Sequence, residues 1–470
     1  MEDIPELTDH PPAIQPIYPF TDIGESVLLY EGPMTVMPLH HTMATTSDGV
    51  LPSLKCEGNG EVICTVQSMP RYNVHFKTLG DGSLLDLYNF SGILRLDIEG
   101  NSTPLPMKVI DKHIASSADF DHTELKFTAL LDQDAVLGSD GPIIEMQFHL
   151  INFPFDIGNT VTSRVDTEAK TRHTTANRIH LNYNSRFNID IDSRFDSSDV
   201  WRETRMKDSY TLSHVCRITN DHHNAFTSDD ALEMMESLYW FLSFVSSSHI
   251  GIVLPTGITP TGEQVTYAMS CGPIDSAAYR QSWFSQYDIE GRQLLDLLYD
   301  NFMDKWNDPM WRAILPRLIG RYASANGKYI DSGLVVAFST LETLYWIKYG
   351  LIAQSIKAKD LKKSQANEKI RELLSSASID PDIPDPLMAL SAKGQEIQDP
   401  KNLGQLPEVV AWVRNKIVHP DTGTKLNFNL MDQAHLAAIW YLELLLLKEF
   451  NYEGTYFNRV SNKTESVPWA

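Results

Sequence analysis

The amino-acid sequence predicts an α+β protein of several domains, in which a β-rich N-terminal region precedes an all-α C-terminal region. The chain has 470 residues, of which 42% are hydrophobic and 21% are charged, as expected for a globular protein with two or three hydrophobic cores. Short segments of alternating polarity, separated by turn sequences, occupy the first half. Longer segments with a helical repeat of apolar residues follow them.

The order of these patterns predicts three domains. Residues 1–225 are a β-rich, sandwich-like domain, residues 226–325 a mixed helical connecting region, and residues 326–470 a helical domain. Strands are expected at 27–30, 62–67, 73–76, 92–98, 105–110, 124–130, 143–150 and 178–182. The turn sequences Gly-Asp-Gly and Ser-Asp-Gly separate several of them, which favours a β-sandwich.

Helices are predicted wherever the apolar residues repeat with the period of an α-helix. These segments are 229–246, 290–306, 309–325, 332–349, 367–376, 407–419 and 432–450. Residues 250–254 and 265–269 predict a hairpin. Residues 379–399 are rich in Pro and Asp, so we expect a long loop beside the helix that carries the candidate site.

Charge is distributed unevenly along the chain, whose net charge is −22. Residues 1–325 contain 23 Lys and Arg against 44 Asp and Glu, whereas residues 326–450 contain 14 against 15. A nucleic acid would therefore be repelled by most of the chain and tolerated only near the helical domain. Four lysines there are candidate substrate-binding residues, although a solvated linker face is the alternative interpretation: Lys357, Lys359, Lys362 and Lys363.

Several classes of protein are disfavoured. The N-terminus is acidic and proline-rich, and the longest apolar stretch, 436–447, is short and contains Glu443, so we expect a cytoplasmic protein without a membrane span. The four cysteines form no CxxC pair, which argues against a disulfide framework and a cysteine zinc site. The histidines and aspartates match no ligand spacing either. The sequence therefore predicts no metal and no cofactor.

The candidate site lies on the predicted helix that ends in Arg-Asn-Lys-Ile-Val-His-Pro, residues 414–420. One stripe of this helix is apolar and is expected to face a core: Leu406, Val409, Val410, Val413 and Ile417. Arg414, Asn415 and His419 fall on the opposite side, and Pro420 ends the helix at His419. An arginine, an amide and an imidazole within one and a half turns are suited to handling a phosphate.

Metal-free RNA cleavage requires a base, an acid and positive charge beside the phosphate. His419 can serve as base or acid, Arg414 can contact the phosphate, Asn415 can orient either group, and Lys416 is a further candidate for substrate binding. Glu342 lies on an otherwise apolar helix, so it needs a partner, and Arg414 is the expected one.

These residues resemble the signature of the HEPN superfamily, which is an Arg, a polar residue that is often Asn, a short spacer and a His at a helix end. Arg414, Asn415 and His419 match its three positions. The resemblance covers about residues 325–450, including the helices expected at 332–350 and 432–450. A β-rich N-terminal part followed by such a domain is similar to the ApeA-type abortive-infection proteins of bacterial phage defence.

The resemblance implies a C-terminal all-α HEPN bundle with endoribonuclease activity, which produces a 2′,3′-cyclic phosphate. It implies RNA, with tRNA as one candidate, as the substrate, and a homodimer through the HEPN domain as the active unit. Arg414 and His419 are about 140° apart around their helix, so two copies related by a two-fold axis would surround a phosphate better than one. The N-terminal domain would sense a signal such as a phage-derived trigger protein.

A second hypothesis remains open at this point. The HEPN domain is then catalytically silent and serves for dimerisation or partner binding in a defence or toxin–antitoxin system. Arg414 and His419 would, in that case, only cap and pair within a helix bundle.

Overall fold

The computed structural model describes the chain except for residues 1–9, 21–25, 39–54, 66–70, 79–86, 89–91, 100, 102–103, 117–122, 133–134, 138–140, 167–170, 185, 222–223, 269–271, 279, 355–363, 399–402 and 421–425. The chain divides into two compact units. The β-rich unit comprises Met1–Glu236 and Ile250–Ala278, and the helical unit comprises Ser237–His249 and Tyr279–Ala470. The predicted α+β architecture, β-rich first and helical afterwards, is confirmed.

The first six strands of the β-rich unit close into an antiparallel barrel, in the order β1-β2-β3-β6-β5-β4. They are β1 (Ser26–Pro38), β2 (Cys56–Thr65), β3 (Arg71–Thr78), β4 (Ile93–Ile98), β5 (Leu105–Ser116) and β6 (Thr123–Leu131). Buried and partly exposed residues alternate along β4 and β6, because successive side chains of a strand point to opposite faces. Val36, Val62, Val74 and Phe76 are among the side chains that fill the interior.

Eight further strands form one antiparallel sheet, in the order β7-β14-β13-β8-β12-β11-β10-β9. They are β7 (Ala135–Leu137), β8 (Glu145–Ile151), β9 (Asn159–Asp166), β10 (Thr171–Tyr183), β11 (Phe187–Ser193), β12 (Leu212–Asn220), β13 (Gly251–Ile258) and β14 (Gln264–Ala268). The expected sandwich is thus replaced by a closed barrel and a separate sheet. Closure of the barrel pairs β1 with β4, which leaves the barrel without the exposed edges of an open sheet.

The helices are α1 (Ser197–Lys207), α2 (Ser228–Ser246), α3 (Ile289–Gln293), α4 (Leu295–Trp306), α5 (Pro309–Ala325), α6 (Ile330–Tyr345), α7 (Ala366–Ser376), α8 (Met388–Ile397), α9 (Leu406–Val418) and α10 (Phe428–Glu449). A π-helical turn (Trp346–Ile352) continues α6, and a hairpin of β15 (Thr455–Asn458) and β16 (Lys463–Ser466) ends the chain. The segment 379–399, predicted as a long loop, contains helix α8. Its prolines stop at Pro386, so the residues that follow can form a helix.

Helix α10 is the core of the helical unit. Nearly all of its residues from Ala434 to Leu447 are buried, as expected for a helix that is apolar on every side, and α6, α8 and α9 pack against it. Its length and composition alone would also allow a membrane span, a test that the buried core helix of a globular protein passes as well. In the helical unit, 72% of the apolar window is buried against other parts of the chain.

The charge within this apolar helix is neutralised by an arginine of the C-terminal segment. Glu443 is fully buried and binds Arg459 with both carboxylate oxygens, with Arg459 Nε donating to Oε2 at 2.8 Å. Tyr322 of α5 donates to Glu443 Oε1 at 2.6 Å, and Arg459 Nη1 donates to Asn326 Oδ1 at 3.1 Å. Burial, and then the negative charge of Glu443, raise the pKa of Tyr322 well above its ordinary value. The network joins α5, α10 and the turn between β15 and β16.

Two buried histidines lie on neighbouring strands of the β-rich unit. The Nε2 atoms of His149 (β8) and His214 (β12) are each hydrogen-bonded to a backbone carbonyl. The partner of His149 is Tyr18, at 2.9 Å, and that of His214 is Phe155, at 3.0 Å. Since a carbonyl only accepts, each ring donates from Nε2. Burial lowers the pKa of both imidazoles from 6.5 to about 4, although the carboxylate of Asp156 opposes this for His214.

We expect the buried ion pair to decide the stability of the helical unit. Arg459→Met leaves the Glu443 carboxylate buried without its cation, and Glu443→Gln leaves the Arg459 guanidinium buried without its anion. Each substitution should lower the free energy of unfolding by about 3–5 kcal/mol. The double variant Glu443→Leu/Arg459→Met should recover most of that loss. Urea unfolding followed by tryptophan fluorescence reports on this unit, which contains eight of the nine tryptophans. Equal losses in the single and double variants would contradict the prediction.

We also expect the β-rich unit to be destabilised by mild acid. The unfolded histidines bind protons below their ordinary pKa of 6.5, whereas the folded ones do so only near 4, so stability falls as pH falls between these values. From about pH 7.5 to about pH 5 the loss should be about 2 kcal/mol per histidine. Hydrogen exchange of the β8 and β12 amides measures it. His149→Gln should remove about half of the dependence, and the same substitution at the exposed His113 is the control.

Candidate functional site

The helix that carries the candidate site is fixed to its neighbours by the apolar stripe that the sequence indicates. Leu406, Val409, Val410 and Val413 are buried, whereas Ile417, also expected to face the core, is partly exposed, and α9 packs against α6, α7, α8 and α10. The observed helix, Leu406–Val418, begins one residue before the predicted one and ends one residue before it. The motif therefore lies on a rigid element in which the buried stripe and the candidate polar residues are separate.

His419 ends this helix as its C-cap residue. Its backbone N–H donates to the carbonyl of Asn415 at 2.8 Å, while its φ of −125° and ψ of 72° have left the helical region, as expected for a residue before Pro420. The side chains of His419 and Asn415 are exposed. An imidazole at this position can reach a solvent-borne substrate, and the amide one turn before it lies on the same face.

Arg414 is directed towards α6. Its guanidinium carbon lies 5.7 Å from the ring centroid of Phe338, and Nη1 donates to Asn415 Oδ1 at 3.1 Å. The Nε atom is buried and has no hydrogen-bond partner. The structure thus brings Arg414 and Asn415 together, whereas the Arg414 and His419 side chains leave the helix in directions about 140° apart.

The expected pairing of Glu342 with Arg414 is wrong. Glu342 Oε1 accepts from Lys369 Nζ of α7 at 3.4 Å, and the described residues contain no ion pair between Glu342 and Arg414. Phe338 and Glu342 are one helical turn apart on α6. Arg414 of α9 contacts Phe338, whereas Lys369 of α7 binds Glu342.

Helix α7 is held on both sides of this position. Tyr345 of α6 donates to Glu372 Oε2 at 2.6 Å, and burial followed by this hydrogen bond raises the pKa of Tyr345. On the other side, Arg371 pairs with Glu408, which is buried at the start of α9. These contacts fix α7 between α6 and α9 without using Arg414, Asn415 or His419.

The structure describes one of the five candidate substrate-binding lysines. Four of them lie outside the described residues: Lys357, Lys359, Lys362 and Lys363. Lys416 is described, and its ammonium lies 5.7 Å from the ring centroid of Trp412, one turn before it on α9. The ammonium of Lys393, on α8, lies 4.2 Å from the same centroid. The spacing of Trp412 and Lys416 could have been read from the sequence, but Lys393 lies in the segment predicted as a loop.

The described part of the chain contains no group of three or more His, Cys, Asp or Glu side chains that could hold a metal ion. What the site offers from its own residues is an exposed imidazole, an amide beside it, and a guanidinium hydrogen-bonded to that amide. These groups can move a proton and neutralise a phosphate.

Two domain-family models each match part of the chain. Residues 138–280 match the YopA central domain, and residues 308–468 match the YopA C-terminal domain. The chain is also 28% identical over 461 residues to the SPbeta prophage-derived uncharacterized protein YopA of Bacillus subtilis (strain 168), which covers 95% of this chain and 96% of that protein. No solved structure matches the chain. The similarity extends over both the β-rich and the helical unit.

Proposed function

We propose that this protein is a metal-independent endoribonuclease of the HEPN type, acting as an abortive-infection effector against phage. The observation that carries the proposal is the end of α9, where an exposed His419 follows Asn415 by one turn and Asn415 accepts from Arg414. The support is a constellation of side chains on a rigid helix, together with the matching order of Arg, Asn and His. The helical bundle around it, with α6, α9 and α10 in contact, suits the HEPN interpretation.

In the proposed reaction, an imidazole removes the proton from a ribose 2′-hydroxyl, and the 2′-oxygen attacks the adjacent phosphorus. The bond from phosphorus to the 5′-oxygen breaks, and that oxygen leaves with a proton supplied by an acid, which gives a 2′,3′-cyclic phosphate and a 5′-hydroxyl. His419 acts as base or acid, and Arg414 neutralises the charge on the phosphoryl oxygens. Asn415 holds Arg414 by the hydrogen bond already present.

One copy of α9 provides one imidazole, whereas the reaction uses both a base and an acid. Two copies related by a two-fold axis would place a second His419, and a second Arg414, on the other side of the phosphate. The divergence of Arg414 and His419 around α9 supports such a composite site. The homodimer through the helical unit is therefore part of the proposal.

The β-rich unit is assigned a regulatory role. Residues 1–325 contain 44 acidic against 23 basic residues, so most of the chain repels RNA and limits unspecific cleavage. A phage-derived trigger protein acting on this region would raise the basal rate at which the helical unit cleaves RNA, with tRNA as one candidate substrate. The relative is described as prophage-derived, and we extend a phage-related setting to this chain.

One observation favours a second candidate, a catalytically silent module for dimerisation or partner binding. Arg414 lies on the ring of Phe338, and Glu342 is engaged by Lys369, so neither is turned towards His419. In an enzyme, Arg414 leaves Phe338 when substrate binds or acts on the phosphate held by the other protomer. In the silent module, the same packing is permanent.

We expect purified full-length protein to cleave total RNA in the presence of EDTA and to leave 2′,3′-cyclic phosphate ends. His419→Ala should lower the rate by at least about a hundredfold, the contribution of a general acid or base. Because His419 is exposed, the variant should retain the melting temperature of the parent protein. His113→Ala, at an exposed position of β5, is the matched control. If the parent and the control protein both leave the RNA intact at a concentration at which the protein is dimeric, the silent module is favoured.

The composite site is tested by mixing parent and inactive protomers. If base and acid are the His419 residues of the two protomers, a mixed dimer of one parent chain and one His419→Ala chain lacks one of them and should cleave at least about a hundredfold more slowly than the parent dimer. An excess of His419→Ala protein should therefore lower the cleavage rate of the parent protein after subunit exchange. Full activity of a monomer in light scattering, or half of the parent rate in proven mixed dimers, would show that each protomer works alone.

A further inference from the structure

Four residues of α9 and its C-cap form a continuous stripe that leads to the candidate site. Trp412, Asn415, Lys416 and His419 occupy positions i, i+3, i+4 and i+7, which lie on one face of a helix. Asn415 and His419 are exposed, and Trp412 and Lys416 are partly exposed. The stripe is about 10 Å long, and Arg414, which points to Phe338, is not part of it.

The far end of this stripe is an indole flanked by two ammonium groups. Lys393 Nζ lies 4.2 Å and Lys416 Nζ 5.7 Å from the Trp412 ring centroid. The Lys393 side chain is only 14% exposed, and Glu396 binds its ammonium at 2.6 Å, so it is held in place. Two cations on different helices therefore meet at one aromatic ring, in a chain whose net charge is −22.

We propose that Trp412, Lys416 and Lys393 form a subsite for a nucleotide of single-stranded RNA next to the scissile bond. The exposed part of the indole offers a surface on which a base stacks, and the ammonium of Lys416, together with that of Lys393, which Glu396 partly neutralises, attracts the phosphates beside it. The subsite rests on the proposed ribonuclease activity and specifies its substrate as an unpaired segment, because a base within a duplex has no free face for the indole.

The position of the subsite fits this use. A nucleotide stacked on Trp412 extends its backbone along α9 past Lys416 towards His419, over the length of the stripe. Asn415 lies between them and can contact the sugar–phosphate chain. Lys393 and Lys416 both flank the indole, and Glu396 pairs with Lys393.

The test is binding of a fluorescein-labelled oligouridylate to the full-length chain with His419→Ala, which prevents cleavage. Adding Trp412→Leu should weaken binding about tenfold, the effect of losing one base stack. Adding Lys416→Gln should weaken binding by about fivefold at low salt and reduce the slope of log Kd against log salt by about 0.7, the effect of losing one phosphate contact. Lys393→Gln should act in the same direction.

The matched control is Lys448→Gln. Its ammonium lies 5.0 Å from the ring centroid of Trp469, so it has the same kind of contact as Lys416 but belongs to α10. This variant should bind the oligouridylate as the His419→Ala parent does. If Trp412→Leu lowers the melting temperature, the two lysine variants decide the question.

Unchanged affinity and salt dependence in folded Trp412→Leu and Lys416→Gln proteins would overturn the subsite, and Lys393 and Lys416 would then only cover the indole. This outcome is distinct from failure of the proposed function, which the cleavage assay with intact His419 measures. Normal RNA cleavage by the Trp412→Leu variant would overturn the subsite but support the proposed activity. Oligouridylate binding that depends on Trp412, without any cleavage by the parent protein, would support the subsite but overturn the activity.

Discussion

The buried pair of Glu443 and Arg459 is the constraint on which the helical unit depends. A carboxylate in the middle of an apolar helix is tolerated only with a cation and further hydrogen bonds, and Arg459 and Tyr322 supply them. Meeting this requirement ties α10 to α5 and to the last segment of the chain. Helix α10 is in turn the surface on which α6 and α9 pack, so the position of α9 depends on the pair.

In helix α9, the residues that pack against neighbouring helices are distinct from the residues of the proposed site. Its buried stripe, from Leu406 to Val413, fixes the helix, while Asn415 and His419 remain exposed at its end. Arg414 lies between these roles, since its guanidinium rests on Phe338 and its Nε is buried without a hydrogen-bond partner. An unsatisfied buried donor is costly. A phosphate that drew Arg414 away from Phe338 would relieve that cost, which gives substrate a means of assembling the proposed site.

The sequence was most informative where the pattern is local. The helical repeat predicted α5 at its observed bounds and α9 to within one residue, and the exposure of Asn415 and His419 followed from the same repeat. Contacts between distant segments were not predictable in the same way. The closing of the barrel between β1 and β4 and the choice of Lys369 as the partner of Glu342 depend on how elements meet in space.

Capping and loop chemistry account for the remaining differences. Helix α10 begins at Phe428 rather than Asp432, because Asn427 caps it by accepting from the backbone N–H of Leu430. Helix α8 was hidden by the prolines before it, and with it the meeting of Lys393 and Trp412. The hairpin that provides Arg459 is too short to be distinguished from a loop by alternation alone.

The measurement that tests the central claim most directly is an experimental structure of the full-length protein bound to an RNA whose scissile ribose lacks the 2′-hydroxyl. The proposed function predicts the scissile phosphate within hydrogen-bonding distance of a His419 imidazole and an Arg414 guanidinium. It also predicts that this guanidinium has left Phe338 or reaches across from a second protomer. RNA bound on another surface, with Arg414 still on Phe338 and His419 in solvent, would contradict the assignment of α9 as the site of cleavage.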